Sequence, residues 1–376
     1  MEPMRILQVV TIMNRGGLET MLMNYYRQLD RKKVQFDFMV HREEEGHYDR
    51  EIKALGGKIY IMPQIRPGSY KRYFKMLDCF FAKNKHYLIV HSHINENSSF
   101  VLKAAKKAGV PCRIAHSHLS DLGIDYKLPF RIYARLSMRN NPTSYLACSK
   151  EAGKWLFGSN RKKHKNIIVL NNAVNTKDFK YDKITRKKIR EEIGVEENQL
   201  VIGHIGRFNK QKNHDFLIDI FKAVSMSKPD SILVLVGDGH LQNSIKKKVE
   251  DLGLLSNVKF LGVREDISNL MQAMDVFVFP SLFEGLPVVL VEAQAAGLTC
   301  IVSDSITAET NVTGKLTFES LASSPQTWAN RILSSSYIHE DTSKVLIEKG
   351  YDTTTMSNWL TDYYMKKASM EQEIGG

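Results

Sequence analysis

"SLFEGLPVVLVEAQAAG", Ser281–Gly297, carries two glutamates, Glu284 and Glu292, eight residues apart in a stretch otherwise as apolar as a core. Acidic side chains are seldom buried unless paired, so these two need a local geometry that explains them. The preceding run "DVFVFPS" reads as a buried strand ending near Ser281, and Pro287 suits the first turn of a helix. Glu284 then falls in the loop between strand and helix, and Glu292 in the helix's second turn. Backbone N–H groups of Gly285, Leu286 and Val288 would lie beside Glu284, where a helix N-terminus suits phosphate or sugar oxygens. Eight residues rotate two positions by about 80° around a helix, so the spacing alone does not place both carboxylates in one site.

The strand–loop–helix unit recurs along the chain. In the first half the apolar, β-branched runs are "RILQVV", "QFDFMV", "KIYIM", "YLIVHS", "CRIAHS", "SYLACS" and "NIIVL". In the second they are "LVIGHIG", "SILVLVG", "NVKFLG", "DVFVFPS" and "TCIVSD". Helical patterns lie between them, including 18–29, 69–81, 98–108, 213–225, 241–252 and 287–296. Buried strands alternating with amphipathic helices mean βαβ units and parallel sheets covered on both faces. The series occurs twice, with a polar break at Asn171–Asp182. The expected organisation is a Rossmann-like domain over 1–172, a second over 173–352, and a C-terminal helix over 353–376 that crosses back to the first. Ligands of such sheets bind beyond the carboxyl ends of the strands, so the expected site is a cleft between the two domains.

The 376 residues are too many for one typical core and agree with two. Four cysteines, Cys79, Cys112, Cys148 and Cys300, form no CxxC pair, which argues against a disulfide framework or a zinc site. The N-terminus "MEPMRILQVV" enters a strand directly, and no apolar run is long enough for a transmembrane helix. The expected location is therefore cytoplasmic. The net charge of +12 is uneven: residues 1–175 hold 30 Lys and Arg against 14 Asp and Glu, a balance of +16, and the remainder balances at −4. Such asymmetry points to an anionic partner: nucleic acid, a membrane surface or a phosphorylated substrate.

Several motifs carry chemistry. In "GHIGRFNKQKNHDFLI" a strand ends at Gly206, and Arg207 and Lys212 converge above it, a pair of cations suited to a diphosphate. "LVLVGDGHLQ" has Gly237 and Gly239 but Gln242 where a dinucleotide fingerprint needs glycine, which removes the best warrant for hydride transfer. In "NRGGLETMLM", Gly16 and Gly17 let backbone approach a ligand before a helix N-terminus, although a plain turn uses the same residues. Two histidine pairs end adjacent apolar runs, His91 with His93 and His116 with His118. Residues i and i+2 share one face of a strand, but neither pair has the Cys or carboxylate of a familiar ligand set, so no metal is expected. A histidine pointing into the cleft for polar contact or acid–base work fits better, with His118 the more cleft-ward of its pair. Arg131, Arg135 and Arg139 form a basic stripe beside Phe130, Ile132, Tyr133 and Leu136, and "YKRYFKMLDCFF" has similar character. Basic amphipathic helices read as membrane-interfacial, although a core helix with a solvated basic face has the same pattern.

With these residues in view, the chain resembles the retaining glycosyltransferases of family 4, which have the GT-B fold. "SLFEGLPVVLVEAQAAG" resembles their E-x7-E signature, "GRFNKQKNH" their Arg/Lys segment, "VGDG" the next strand end, and "NRGGLET" their N-terminal glycine loop. Order and separation agree over nearly the whole chain, whereas "ITAETNVTGKLTF" matches poorly. Among such enzymes the chain looks most like bacterial ones that build capsular or exopolysaccharide repeat units. The resemblance implies an α/β GT-B fold of two Rossmann-like domains facing across a cleft. It implies transfer, with retained configuration, from a nucleotide-diphosphate sugar, UDP-sugar first among them, to a polyprenyl-diphosphate-linked or glycan acceptor. No cofactor or metal is implied, because Arg207 and Lys212 would hold the diphosphate. Glu292 would accept from ribose hydroxyls, and Glu284 with Gly285, Leu286 and Val288 would orient the sugar. Gly16 and Gly17 would touch the phosphates, Val263 and Arg264 would meet the base, and His118, with His116 as the alternative, would stand near the reacting sugar. The enzyme would work at the inner face of the cell membrane. The competing expectations are another GT-B enzyme, such as a nucleotide-sugar epimerase or glycogen-type synthase, and a basic nucleic-acid-binding protein. The last lacks any recognisable module for nucleic acid.

Overall fold

The computed structural model describes residues 2–66, 68–118, 128–158 and 166–375, with backbone alone over 371–375. The chain divides into two compact units, Met1–Ala173 with Thr353–Gly376, and Val174–Asp352.

The first unit holds a parallel sheet of β1 (Met4–Val9), β2 (Val34–Val40), β3 (Ile59–Ile61), β4 (Ile89–Ser92), β5 (Cys112–Ser117), β6 (Ser144–Ala147) and β7 (Ile167–Val169), in the order β3-β2-β1-β4-β5-β6-β7. β2, "VQFDFMV", is buried along its whole length. Its one carboxylate, Asp37, is compensated: Arg5 Nε lies 2.6 Å from it and the Tyr87 hydroxyl 2.7 Å. A buried charge is tolerated on those terms. Helices Tyr70–Lys83 and Ser98–Lys107 pack Tyr73, Leu77, Phe81, Val101 and Leu102 into the core beside Leu7 and Val90. The C-terminal helix Thr353–Gly375 belongs to this unit. It buries Leu360 and Tyr364, the latter edge-on to Phe36 at 6.0 Å, and Ser357 Oγ donates to the Tyr25 carbonyl.

The second unit holds β8 (Val201–Ile205), β9 (Ile232–Val236), β10 (Val258–Phe260), β11 (Val276–Phe279), β12 (Thr299–Ser303) and β13 (Leu316–Glu319), parallel and ordered β10-β9-β8-β11-β12-β13. Its core sets Phe221, Leu217 and Ile218 of helix His214–Ser227 against Leu233, Val276 and Trp328. A buried fork fixes the helix Lys183–Glu192: Arg186 and Arg190 hold the two oxygens of Asp275 at 2.7 and 2.8 Å, and the Val201 N–H donates to the same carboxylate at 2.7 Å.

Both strand orders are the doubly wound Rossmann order, and each reverses direction once: between β1 and β4, and between β8 and β11. Ligands of this architecture bind outside the carboxyl ends of the strands at that reversal. The fold therefore directs attention to residues just after β1, β4, β8 and β11. Among the described residues, no helix is long and apolar enough to cross a membrane.

Candidate active site

In the second unit the reversal point is occupied by the predicted residues. Arg207 follows β8 at once and is exposed, with no side-chain partner among the described residues. Lys212 closes a short 3₁₀ turn, Lys210–Lys212, capped by Asn209 Oδ1 accepting from the Lys212 N–H. Asn213 then adopts a left-handed conformation, φ 55°, and turns the chain into the next helix. This loop is stitched to the one after β11: the Leu282 N–H donates to the Gln211 carbonyl, Gln211 Nε2 to Phe283 and Asn213 Nδ2 to Pro280. The result brings Lys212 Nζ to 2.6 Å from Glu284 Oε1, with both side chains mostly buried, and 4.4 Å from the centre of the Phe279 ring. The ammonium has three hydrogens and the carboxylate four lone-pair sites, so each keeps capacity for a ligand. With the exposed Arg207 added, the cluster carries an excess of one positive charge. The glycines of "VGDG" serve this loop sterically. Gly237, at φ 130°, passes so close to the Gly206 carbonyl that a Cβ there would sit at 2.3 Å, and the Phe208 N–H donates to the Asp238 carbonyl.

Past Glu284 the helix starts at Val288, with Pro287 as its cap residue rather than its first turn, and Glu292 lies on its second turn, partly buried. Leu286 and Val288 are buried, which leaves their backbone as the part able to meet a ligand. Val263 is exposed after β10. Arg264 is committed to Asp266 and Glu192, each at 2.7 Å, and these carboxylates raise its pKa further. Its guanidinium is therefore part of a surface ion-pair cluster.

In the first unit the reversal point holds a feature the sequence shows only in halves. His91 and His116 lie on the neighbouring strands β4 and β5, and His93 and His118 follow just beyond them, so parallel pairing joins the two pairs into one cluster. His91 Nε2 lies 3.1 Å from His116 Nδ1, and His93 Nδ1 lies 3.0 Å from His118 Nε2. Two residues outside the motifs close it: Gln8 Oε1 is 2.8 Å from His93 Nε2, and the Tyr364 hydroxyl is 2.7 Å from His91 Nδ1. Gln8 announces itself in the sequence only as a polar residue inside the apolar run "RILQVV". His91, His93 and His116 are enclosed, and His118 alone retains surface. The two alternatives of "HSH" therefore differ in exposure: His118 is partly exposed and His116 is buried. Ligand atoms of His91, His93 and His116 lie within 4.8 Å of one another, as a metal site requires. However, His91 and His93 already use both ring nitrogens, so an ion would have to displace these bonds.

Burial holds His91 and His118 down to about 3, and His93 and His116 well below their ordinary value. The rings are neutral at pH 7. In the unfolded chain they take up protons below about pH 6.5, and in the folded chain they resist doing so. Stability is thus complete above that pH and is lost as pH falls toward 3, at up to about 1.4 kcal/mol per pH unit for each enclosed ring. Urea midpoints should drop between pH 7 and pH 5; an unchanged midpoint would contradict this accounting.

The glycine loop opens the first helix of this unit. Gly16 caps the helix Gly17–Gln28 in extended conformation, and the Glu19 carboxylate folds back so closely that a Cβ at position 16 would meet it at 2.4 Å. The arginine stripe is divided. Arg131 reaches Glu96 at 3.8 Å, and Arg135 donates to the Leu156 carbonyl and covers the Trp155 ring. Arg139, beyond the helix Leu128–Ser137, is exposed.

Two Rossmann-like units with these loops at their reversal points define a glycosyltransferase of GT-B type. The sequence pattern described as Glycosyltransferase Family 4 matches residues 15–178, and that of Glycosyl transferases group 1 matches residues 185–344. The Bacillus subtilis protein EpsF is 37% identical over 369 residues, 96% of each chain. The chain belongs to glycosyltransferase family 4. An Escherichia coli protein named UDP-Gal:alpha-D-GlcNAc-diphosphoundecaprenol alpha-1,3-galactosyltransferase is 35% identical over 238 residues, 59% of each chain. Among solved structures, Anabaena HepE in complex with UDP and glucose superposes with a TM-score of 0.78 at 20% identity, over 96% of this chain and 100% of that one. This last likeness speaks to fold.

Proposed function

We propose that the chain is a retaining glycosyltransferase that moves a sugar from a nucleotide-diphosphate donor, a UDP-sugar, to a lipid-linked or glycan acceptor in surface polysaccharide biosynthesis. The observation that carries the reading is the Lys212–Glu284 pair at 2.6 Å beside the exposed Arg207, after β8 and β11. Departure of a nucleoside diphosphate leaves new negative charge on the β-phosphate, and fixed cations are what lowers that barrier. In this proposal Arg207 and Lys212 hold the diphosphate in place of a metal. Glu284 and the backbone of Gly285, Leu286 and Val288 orient the sugar, Glu292 accepts from the ribose, and backbone near Val263 meets the base. The unit Val174–Asp352 is the donor domain and the remainder the acceptor domain, with His118 near the reacting sugar. The name of the Escherichia coli relative supports uracil as the base and a diphosphoundecaprenol-type acceptor.

Incubation with a panel of UDP-sugars and a polyprenyl-diphosphate-linked sugar, followed by UDP release and product NMR, tests the reading. Transfer with the donor's anomeric configuration kept is expected. An inverted product, or an interconverted nucleotide sugar without transfer, would sink it.

Peripheral attachment to the cytoplasmic membrane face belongs to the same proposal. Its support is a surface where Phe74, Ile132, Tyr133 and Leu136 stand exposed on two helices joined by stacked Tyr70, Phe130 and Phe100, with exposed Lys71, Arg72 and Lys75 alongside. Apolar tips amid basic side chains match an anionic lipid interface. Tyr133→Glu with Leu136→Glu should weaken sedimentation with vesicles containing phosphatidylglycerol by about tenfold or more, and equal binding by wild type and variant would remove the membrane surface from the account.

A further inference from the structure

The four histidines, Gln8 and Tyr364 form one hydrogen-bonded unit whose proton positions are mutually dependent. Gln8 has one group that accepts and one that donates. Its Oε1 lies 2.8 Å from His93 Nε2 and its Nε2 lies 3.3 Å from the Tyr364 hydroxyl. The oxygen can only accept, so His93 carries its proton on Nε2 and offers a bare Nδ1. His118, 3.0 Å away through its Nε2, must then donate, which leaves His118 Nδ1 bare. The other branch follows the same logic. The Tyr364 oxygen accepts from the amide and donates its single hydrogen to His91 Nδ1, 2.7 Å away. His91 therefore donates from Nε2 to His116 Nδ1, 3.1 Å away, and His116 keeps its proton on Nε2. That Nε2 is buried with no partner among the described residues, the point where the branch ends inside the protein. The other branch ends at His118, the ring with surface.

We propose that Gln8 is a positioning residue: its amide orientation fixes the tautomers of all four rings, so that His118 presents a bare Nδ1 acceptor at the end of the relay. Turning the amide around would reverse every member and give four Nδ1–H rings, with His118 a donor instead. The low pKa values of the cluster satisfy the precondition, because a tautomer is defined only for a neutral ring. The consequence for chemistry rests on the reading of His118 as a group near the reacting sugar: a bare Nδ1 can accept a hydrogen bond from a substrate hydroxyl, and an N–H cannot. The relay transfers no net proton in this role; it holds one ring in one state.

The test is long-range ¹H–¹⁵N NMR on the full chain with labelled histidine, assigned by His→Gln substitutions, at neutral pH. Nε2–H signatures on His91, His93, His116 and His118 are expected. Tyr364→Phe should release His91 and His116 while leaving His93 and His118 as Nε2–H, because Gln8 still accepts from His93. Gln8→Leu should mix the tautomers of both branches, and lower kcat by about tenfold or more with the donor KM held within about twofold. Nδ1–H on His93 or His118 in the wild type, or tautomers unmoved by Gln8→Leu, would overturn the proposal. So would a stoichiometric metal ion in the purified chain. If His118→Ala transferred sugar at the wild-type rate, the placement of His118 at the reacting sugar would fail, while the spectra would still decide the relay.

Discussion

Lys212→Ala is expected to lower kcat/KM for sugar transfer by about 10²–10³-fold, a loss of about 3–4 kcal/mol of transition-state stabilisation. Two effects add. The variant lacks the cation that faces the departing diphosphate, and it leaves the Glu284 carboxylate, 2.6 Å from the former ammonium and mostly buried, without its partner. That carboxylate would then repel the same phosphates. Adding Glu284→Gln to Lys212→Ala should accordingly recover part of the loss in donor KM. Lys212→Arg keeps the charge but presents a planar fork where the Phe279 face and the adjacent Gly206 fit a slender chain, so it should restore less than half of the activity. Steady-state UDP release, with a melting curve to show that each variant is folded, reads all three. Wild-type kcat/KM in Lys212→Ala would remove the diphosphate role.

Asp275→Ala is expected to destabilise the chain by about 3–5 kcal/mol. The carboxylate joins Arg186 and Arg190, and Arg190 is almost fully enclosed. The same guanidiniums also donate to the carbonyls of Gln272, Met274 and Ala273, and of Glu196, Glu197 and Gln199. Removing Asp275 leaves the enclosed Arg190 with only carbonyl acceptors and Arg186 with the exposed Glu197 carboxylate at 3.4 Å as its remaining charged partner among the described residues, beside the first strand of the second unit. Asp275→Asn, which keeps one acceptor oxygen, should cost less. Urea unfolding of the full chain, followed by tryptophan fluorescence and circular dichroism, measures both; a loss under about 1 kcal/mol for Asp275→Ala would show that the fork is dispensable.

Strands with near-continuous apolar runs were legible because both faces of a parallel sheet are covered, and every run from "RILQVV" to "TCIVSD" corresponds to a strand. β13, Leu316–Glu319, escaped: it is four residues long, lies at a sheet edge, and follows "ITAETNVTG", where no periodicity precedes it. Helix Lys183–Glu192, "KITRKKIREE", is not among the helical patterns read from the sequence, since only its two isoleucines break a charged and polar run, and the tertiary position of Asp275 is what makes its two arginines internal. The residues proposed for donor binding were placed for the opposite reason: a loop between strand and helix sets the positions of Arg207, Lys212 and Glu284 by local geometry alone. What local geometry cannot give is pairing across loops, so the Lys212–Glu284 contact and the reach of Arg264 to Glu192 appear only in the fold. The histidines make the same point. Two "HSH" runs, each read as an isolated pair, become one cluster because β4 and β5 are neighbours, and Gln8 and Tyr364 enter from 83 and 273 positions away from His91.

The central claim is that the unit Val174–Asp352 binds a nucleoside diphosphate through Arg207 and Lys212. Isothermal titration of UDP into the wild-type chain, Arg207→Ala and Lys212→Ala, without added metal and with EDTA present, tests it most directly. The account predicts one-to-one binding by the wild type and at least about tenfold weaker binding by each folded variant, a difference of about 1.4 kcal/mol or more. Equal affinity in all three, or wild-type binding abolished by EDTA, would contradict it.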